Sequence, residues 1–252
     1  FDEFYKVLQM NALPRFNVIY TDKEGTLFFL DDGIVPKRSG DYNYSEVVPG
    51  HTSKTLWRDV YTPDELPQKK NPDCGYVFNT NNTPQHATCK EDSKIDGSWD
   101  AHMGFRTGDN NRSERFMQLI EEKERITFDD IRRIKFDNQY PESGAFVNSL
   151  NVIFNVAPEK YPDISTILTA MKQWNRKAAP DAVAPAYFLL TFDYLFQKFN
   201  YSDQHFLTGI ELDEPLFIEA VRHTRSHLIK YFGTIDVPLK NIQVIRRGNK
   251  DY

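Results

Sequence analysis

This chain of 252 residues has no long uninterrupted apolar run. A helix that crosses a bilayer needs roughly 20 consecutive apolar residues, and no stretch approaches that length. A positively charged segment followed by an apolar one, the pattern of a secretory leader, is also missing at its start. The net charge of −5 lacks the positive excess that a phosphate-binding surface requires. We therefore expect neither a membrane nor a nucleic acid among the partners.

Common catalytic motifs are missing as well. The sequence has no Gly-x-Ser-x-Gly elbow, no phosphate-binding loop and no dinucleotide fingerprint. His223 and His227 are four residues apart on a predicted helix, a spacing that can direct two imidazoles at one metal. However, the glutamate of a metalloprotease helix is absent between them, and no third ligand suggests itself. We therefore interpret both as surface or packing histidines.

Cysteine is scarce, with only Cys74 and Cys89, fifteen positions apart. Such a pair could close a disulfide worth roughly 3 kcal/mol in the loop-entropy model. Two buried free thiols are the alternative, and the residues alone leave both open. A zinc site is not expected, because no second Cys/His pair lies at ligand spacing.

The amino-acid composition, with 40% hydrophobic and 14% aromatic residues, is typical of a globular protein. Residues 1–111 are predicted to be β-rich with long loops. Phe16–Tyr20 and Thr26–Leu30 are expected to form two strands joined by the turn Asp22–Gly25, and Tyr76–Phe78 is expected to form a third strand.

Residues 112–235 carry apolar residues at helical spacing, which predicts a mostly helical region. Thr127 is expected to cap one helix, while Pro215 and Gly233 should begin and end another. Residues 236–252 are predicted to begin a further strand segment at Ile242–Ile245.

The most informative segment is the cluster of Asn79, Asn81 and Asn82 before Pro84. Asparagine disfavours strand interiors because its amide competes for backbone hydrogen bonds. A polar cluster after a hydrophobic run is therefore either a simple turn or a place where side-chain amides are presented to a ligand.

Three groups of residues, in the same order along the chain, resemble motifs of the penicillin acylase family, including its acyl-homoserine-lactone and aculeacin acylases. The first resembles a hairpin motif, the second an asparagine-bearing strand end, and the third an arginine-bearing helix. They are Pro14, Asn17–Tyr20, Asp22, Gly25, Gly33, Pro36 and Arg38; Asn71-Pro72, Gly75, Tyr76–Phe78, Asn81-Asn82 and Pro84; and Arg112–Arg115 with Leu119–Glu121.

The resemblance implies an α+β chain, part of the αββα sandwich of the N-terminal nucleophile hydrolases with a mostly helical second half. These enzymes cut themselves into two chains, and the new N-terminal serine uses its own amine as general base. Because the first residue is Phe1, we expect an interior fragment of the larger subunit, inactive alone. Its partners would be the smaller subunit, the nucleophile-bearing segment and a small acyl-amide substrate.

By this resemblance the catalytic residues are Asn81, whose amide would stabilise the oxyanion, and Arg112, which would orient the nucleophile region. Asn79 and Arg115 are the alternatives if the alignment slips. No cofactor is implied. A structural calcium ion could be held by the Pro36 carbonyl with Asp96 or Asp100.

The parent protein is expected to hydrolyse linear amides, such as β-lactam antibiotics, acylated homoserine lactones or lipopeptides, with a role in antibiotic biosynthesis. A periplasmic or secreted location is expected, and its oxidising environment favours the disulfide. A non-catalytic binding or scaffold relative that kept the fold is the second hypothesis. An unrelated α+β domain whose asparagines form only a turn is the third.

Overall fold

The computed structural model describes residues 1–92, 101–105, 108–199 and 212–251. The chain divides into two compact units, Phe1–Asp109 and Asn110–Tyr252. The first unit contains helix α1 (Asp2–Leu8) and strands β1 (Arg15–Thr21), β2 (Leu27–Gly33) and β3 (Gln68–Lys70). Short 3-10 turns lie at Ser53–Thr55, Pro63–Glu65, Pro84–His86, Lys90–Asp92 and Ala101–Met103.

The three strands form an antiparallel sheet in the order β1-β2-β3. Val18 lies opposite Leu30, which in turn lies opposite Gln68. The turn between β1 and β2 contains Gly25 with φ +87°, a left-handed conformation that glycine adopts without a steric penalty. The predicted hairpin and its turn are therefore confirmed.

Helix α1 covers one face of this sheet. Successive side chains of a strand point to opposite faces, so Phe28, Leu30 and Asp32 share one side of β2. Phe28 and Leu30 are buried there with Leu8 of α1. The ring of Phe4 on α1 stacks on Tyr20 with centroids 4.5 Å apart. This face is the apolar core of the first unit.

The opposite face carries the segment 71–92, which we call the cross-linked loop. Asn17, Asp31 and Phe29 face this side. Lys69 of β3 lies opposite Phe29, and its Nζ is 2.5 Å from Oδ1 of Asp92. Asp92 also accepts a 2.7 Å hydrogen bond from the backbone N–H of Asp73. The far end of the loop is thus fixed to the edge of the sheet.

The second unit is mostly helical, as expected. Its helices are α2 (Asn111–Glu121), α3 (Phe128–Lys135), α4 (Ala145–Asn155), α5 (Ser165–Lys172), α6 (Ala184–Phe199), α7 (Glu214–Phe232) and α8 (Leu239–Ile242), with a two-residue hairpin of β4 (Arg246–Arg247) and β5 (Lys250–Asp251). No described helix has both the length and the hydrophobicity to cross a bilayer.

The core of the second unit lies among α4, α5, α6 and α7. Leu150, Leu168, Leu195 and Phe217 are fully buried in it, one from each of these helices. The hydroxyls of Thr191 and Thr224 pair at 2.9 Å between α6 and α7, so two buried polar groups satisfy each other.

Two predicted strands were wrong. Tyr76–Phe78 belongs to no strand, because its hydrogen bonds run across the cross-linked loop and not along a sheet. Ile242–Ile245 is not a strand either, since Ile242 ends α8 and β4 starts only at Arg246. Tyr76–Phe78 is apolar and aromatic and Ile242–Ile245 is rich in β-branched residues, but neither pairs with a strand among the described residues.

Candidate functional site

The cross-linked loop is closed by a disulfide between Cys74 and Cys89, whose Cα atoms are 6.2 Å apart. The structure thus settles the choice between a disulfide and two free thiols. Inside this closure the N–H of Phe78 donates to the carbonyl of Ala87 at 2.9 Å. The hydroxyl of Thr88 donates to the carbonyl of Tyr76 at 2.8 Å. These contacts hold the two arms of the loop together, with the asparagine cluster between them.

Asn81 lies exposed between these arms. Its φ is +62°, in the left-handed region that asparagine tolerates better than most residues. Its backbone N–H donates a 2.8 Å hydrogen bond to Oδ1 of Asn79, two residues earlier. This is an Asx-turn, in which a side chain replaces the backbone carbonyl of a tight turn. The turn presents the Asn81 side chain at the surface.

Asn82 has the opposite character, being only 5% exposed. Its Oδ1 accepts from the backbone N–H of Thr80 at 2.9 Å. Its Nδ2 donates to the carbonyls of Thr83 at 3.1 Å and His86 at 2.7 Å. Both ends of this amide are therefore used inside the loop, which makes Asn82 a structural neighbour of Asn81.

Asn79 is tied to the sheet. Its Oδ1 also accepts a 2.9 Å hydrogen bond from Nδ2 of Asn17 on β1. Because the backbone N–H of Asn81 can only donate, the Asn79 atom that it meets must be the oxygen. The same reasoning assigns the donor nitrogen of Asn17. Asn79 thus joins a strand to the turn at Asn81, a structural role that favours Asn81 as the presented amide.

His86 holds the other side of the loop. Its Nδ1 lies 2.5 Å from Oδ2 of Asp109, a carboxylate whose side chain is 8% exposed. Asp109 is the last residue of the first unit. The loop is therefore fixed at three places, to Asn17, to Lys69 and to Asp109.

Arg112 lies in the first turn of α2, in the second unit, and its side chain is exposed. The turn is shaped by Asn110, whose Oδ1 accepts from the N–H groups of Arg112 at 2.9 Å and Ser113 at 3.1 Å. Ser113 Oγ in turn accepts a hydrogen bond from the N–H of Asn110 at 2.9 Å. This capping box fixes the direction in which α2 begins.

Arg115, the alternative to Arg112, forms an ion pair. Its Nε and Nη2 donate to the two carboxylate oxygens of Asp137 at 2.9 and 3.1 Å. This pairing raises the pKa of Arg115 and outweighs the opposing effect of burial. A two-bond arginine–carboxylate pair is geometrically specific, so these contacts favour a structural role for Arg115.

The calcium expectation stays a prediction. Asp96 and Asp100 lie outside them, and the described part of the chain contains no group of three or more potential metal ligands. Pro36 lies in an isolated bridge with Val60.

The geometry around Asn81 suits an amide that donates to a developing negative charge. Such a donor must be neutral, rigidly held and accessible, and the Asx-turn and the disulfide provide the rigidity. Asn81 and Arg112 belong to different units, and their roles remain predictions.

The sequence did not reveal that Asn17, His86 and Asp109 hold the cross-linked loop in place. Asn17 alone carried a signal, as a polar residue inside an otherwise apolar strand.

A family model described as penicillin amidase matches residues 1–233. Penicillin G acylase of Escherichia coli is 29% identical over 113 residues, which covers 45% of this chain and 12% of that protein. The solved thermostable penicillin G acylase of Alcaligenes faecalis has a TM-score of 0.60 at 14% identity. That match covers 94% of this chain and 51% of the solved one.

The chain thus spans about half the length of the solved relative and a smaller part of the curated one. The structural similarity confirms the expected fold, the α+β architecture of a penicillin acylase with a mostly helical second half. Since the family model covers more than nine tenths of the sequence, the chain belongs to the penicillin amidase family, whose fold is that of an N-terminal nucleophile hydrolase.

Proposed function

We propose that this chain is part of the larger subunit of an amidohydrolase that cleaves a linear amide between an acyl group and a polar amine. The observation that carries the proposal is the presentation of the Asn81 amide by a cross-linked loop. The family match and the share of the solved relative that the chain covers support it.

The proposed reaction uses a serine outside these residues, at the new amino terminus of a self-cleaved precursor. Its hydroxyl attacks the amide carbon while its own α-amine takes the proton. The carbonyl oxygen becomes negatively charged, and Asn81 Nδ2 donates a hydrogen bond to it. The C–N bond then breaks, the amine leaves with the proton, and water hydrolyses the acyl ester.

Arg112 is proposed to orient the region of the nucleophile. Its fixed charge and planar donors suit that role, and Arg115 is already paired with Asp137. The Cys74–Cys89 disulfide supports a periplasmic or secreted location, since such bonds persist in oxidising compartments. β-Lactams, acylated homoserine lactones and lipopeptides are the substrate classes to compare, with antibiotic biosynthesis as the expected role.

The test combines protein chemistry with an assay of the full-length parent. We expect intact mass and amino-terminal sequencing to find two chains, the larger one beginning with Ser, Thr or Cys and containing Asn81. That protein should release amine from an acyl-4-nitroanilide. A single uncut chain without turnover would contradict the proposal and favour a binding or scaffold relative.

A further inference from the structure

We propose that Asn79 is a positioning residue for the amide of Asn81, acting through one carboxamide oxygen that binds both the turn and strand β1. The inference rests on the proposed function, because it assigns the device that holds the oxyanion donor of that function in place.

The first step of the argument is the geometry at Asn79 Oδ1. This oxygen accepts the backbone N–H of Asn81 at 2.8 Å and Nδ2 of Asn17 at 2.9 Å. A carboxamide oxygen has two lone pairs, so both bonds can form at once. The bond to Asn81 is local, whereas the bond to Asn17 spans 62 positions of the sequence.

The second step is the conformation that these bonds hold. Asn81 has φ +62°, which costs free energy for a residue with a Cβ atom. The Asx-turn offsets part of that cost by satisfying the N–H of Asn81. Without the acceptor at Asn79, the turn can relax toward ordinary φ values and rotate the Asn81 side chain.

The third step is rigidity. Asn17 lies in β1, where it pairs with Asp31 across the hairpin. A strand in a packed sheet moves less than a surface loop. The hydrogen bond from Asn17 therefore restricts the motion of the turn relative to the sheet. An oxyanion donor needs such support, because a displacement of about 1 Å can lower a catalytic rate 100-fold.

The test is a double-mutant cycle in the full-length parent, using Asn79→Ala, Asn81→Gly and the combination. We expect Asn79→Ala alone to lower kcat by about 10- to 100-fold with little change in KM. In the Asn81→Gly background it should lower kcat less than 2-fold further, because the donor that it positions is gone.

Asn79→Asp is the matched control, since a carboxylate keeps an acceptor oxygen for the same two donors. This variant should retain most of the wild-type kcat. It should also retain most of the protection of the Asn81 backbone N–H against hydrogen exchange. Asn79→Ala should speed that exchange about 10-fold or more. This readout is independent of turnover.

The outcomes separate the two claims. Loss of turnover in Asn81→Gly, but normal kcat and normal exchange in Asn79→Ala, would overturn the positioning role and leave the proposed function standing. An equal loss from Asn79→Ala in both backgrounds would also overturn it. Unchanged turnover in Asn81→Gly would overturn the proposed function itself and this inference with it.

Discussion

Asp31 on β2 lies directly opposite Asn17 on β1, on the sheet face that carries the cross-linked loop. Asp31 is 7% exposed, and burial raises the pKa of its carboxyl to about 6. The nearby charge of Arg15 opposes this effect, and that of Asp32 adds to it. A buried acidic group thus lies beside the strand residue that supports Asn79.

This arrangement predicts a pH-dependent stability of the hairpin. The pKa of Asp31 is higher in the folded state than its ordinary value of 3.8, so the folded protein binds the proton more tightly. Stability therefore falls as pH rises from about 4 to about 6. Asp31→Asn should weaken this dependence and stabilise the hairpin at pH 8 by up to about 3 kcal/mol, while the neighbouring Asp32, whose pKa burial also raises, keeps a smaller dependence of the same sign. Hydrogen exchange of the backbone amides of β1 and β2, followed as a function of pH, measures the stability of the hairpin.

The exposed Asp41 provides the control for that experiment. Asp41→Asn makes the same chemical change outside the sheet, so it should leave the exchange of the hairpin unchanged at every pH. A wild-type hairpin that becomes more stable between pH 4 and pH 6 would contradict the account of Asp31.

The Cys74–Cys89 disulfide should stabilise the cross-linked loop by roughly 3 kcal/mol, the value expected for closing fifteen residues. We expect Cys74→Ser with Cys89→Ser to speed exchange of the Phe78 amide and to lower turnover of the parent. Alkylation under non-reducing conditions should label neither cysteine in the wild type. Labelling of both without denaturant would show that the bond is absent.

The capping box of α3 provides a stability test in the second unit. Thr127 Oγ1 donates to Oδ2 of Asp130 at 2.6 Å and accepts from the Asp130 N–H at 3.2 Å. Thr127→Ala should cost about 1 kcal/mol, measured by exchange of the α3 amides. Thr169→Ala, at an exposed position inside α5, is the control and should have almost no effect.

The same box predicts a pH dependence of opposite sign to that of Asp31. The hydrogen bonds from Thr127, above all that of its hydroxyl, lower the pKa of Asp130. Asp130 therefore stabilises the folded state above its ordinary pKa of 3.8, and this stabilisation is lost as pH falls below about 4. The difference between Thr127→Ala and wild type should shrink over that range. A constant difference would mean that the carboxylate does not contribute.

Arg112 and Arg115 should respond differently to substitution. Arg115→Ala breaks the ion pair with Asp137 and should reduce stability by up to about 1 kcal/mol, with turnover nearly unchanged. Arg112→Ala should lower kcat of the parent at least 10-fold. The reverse pattern would assign the catalytic role to Arg115.

Much of the secondary structure could be predicted because its signals are local. Thr127 caps α3, Pro215 lies in the first turn of α7, and Gly233 ends that helix with φ +73°. Each effect depends on the backbone of a few neighbouring residues. The strand prediction for Tyr76–Phe78 was wrong because strand propensity does not show whether a partner strand is within hydrogen-bonding distance.

The support of the candidate site could not be read from the sequence. The bond between Asn17 and Asn79 joins positions far apart in the chain, and it depends on the register of β1 with β2. The pairing of His86 with Asp109 also joins residues that are not neighbours in the sequence, so no local pattern predicts it. The asparagine cluster itself was visible because such residues are unusual after an apolar run.

The most direct test of the account is kcat of the full-length parent carrying Asn81→Gly. Glycine tolerates φ +62°, so the turn keeps its conformation while the amide donor is lost. Asn11→Gly, at another left-handed asparagine of the first unit, is the matched control and should keep wild-type turnover. The account predicts a 100- to 1,000-fold lower kcat for Asn81→Gly, about the cost of one oxyanion donor. A kcat equal to that of the control would contradict it and leave Asn81 as a turn residue.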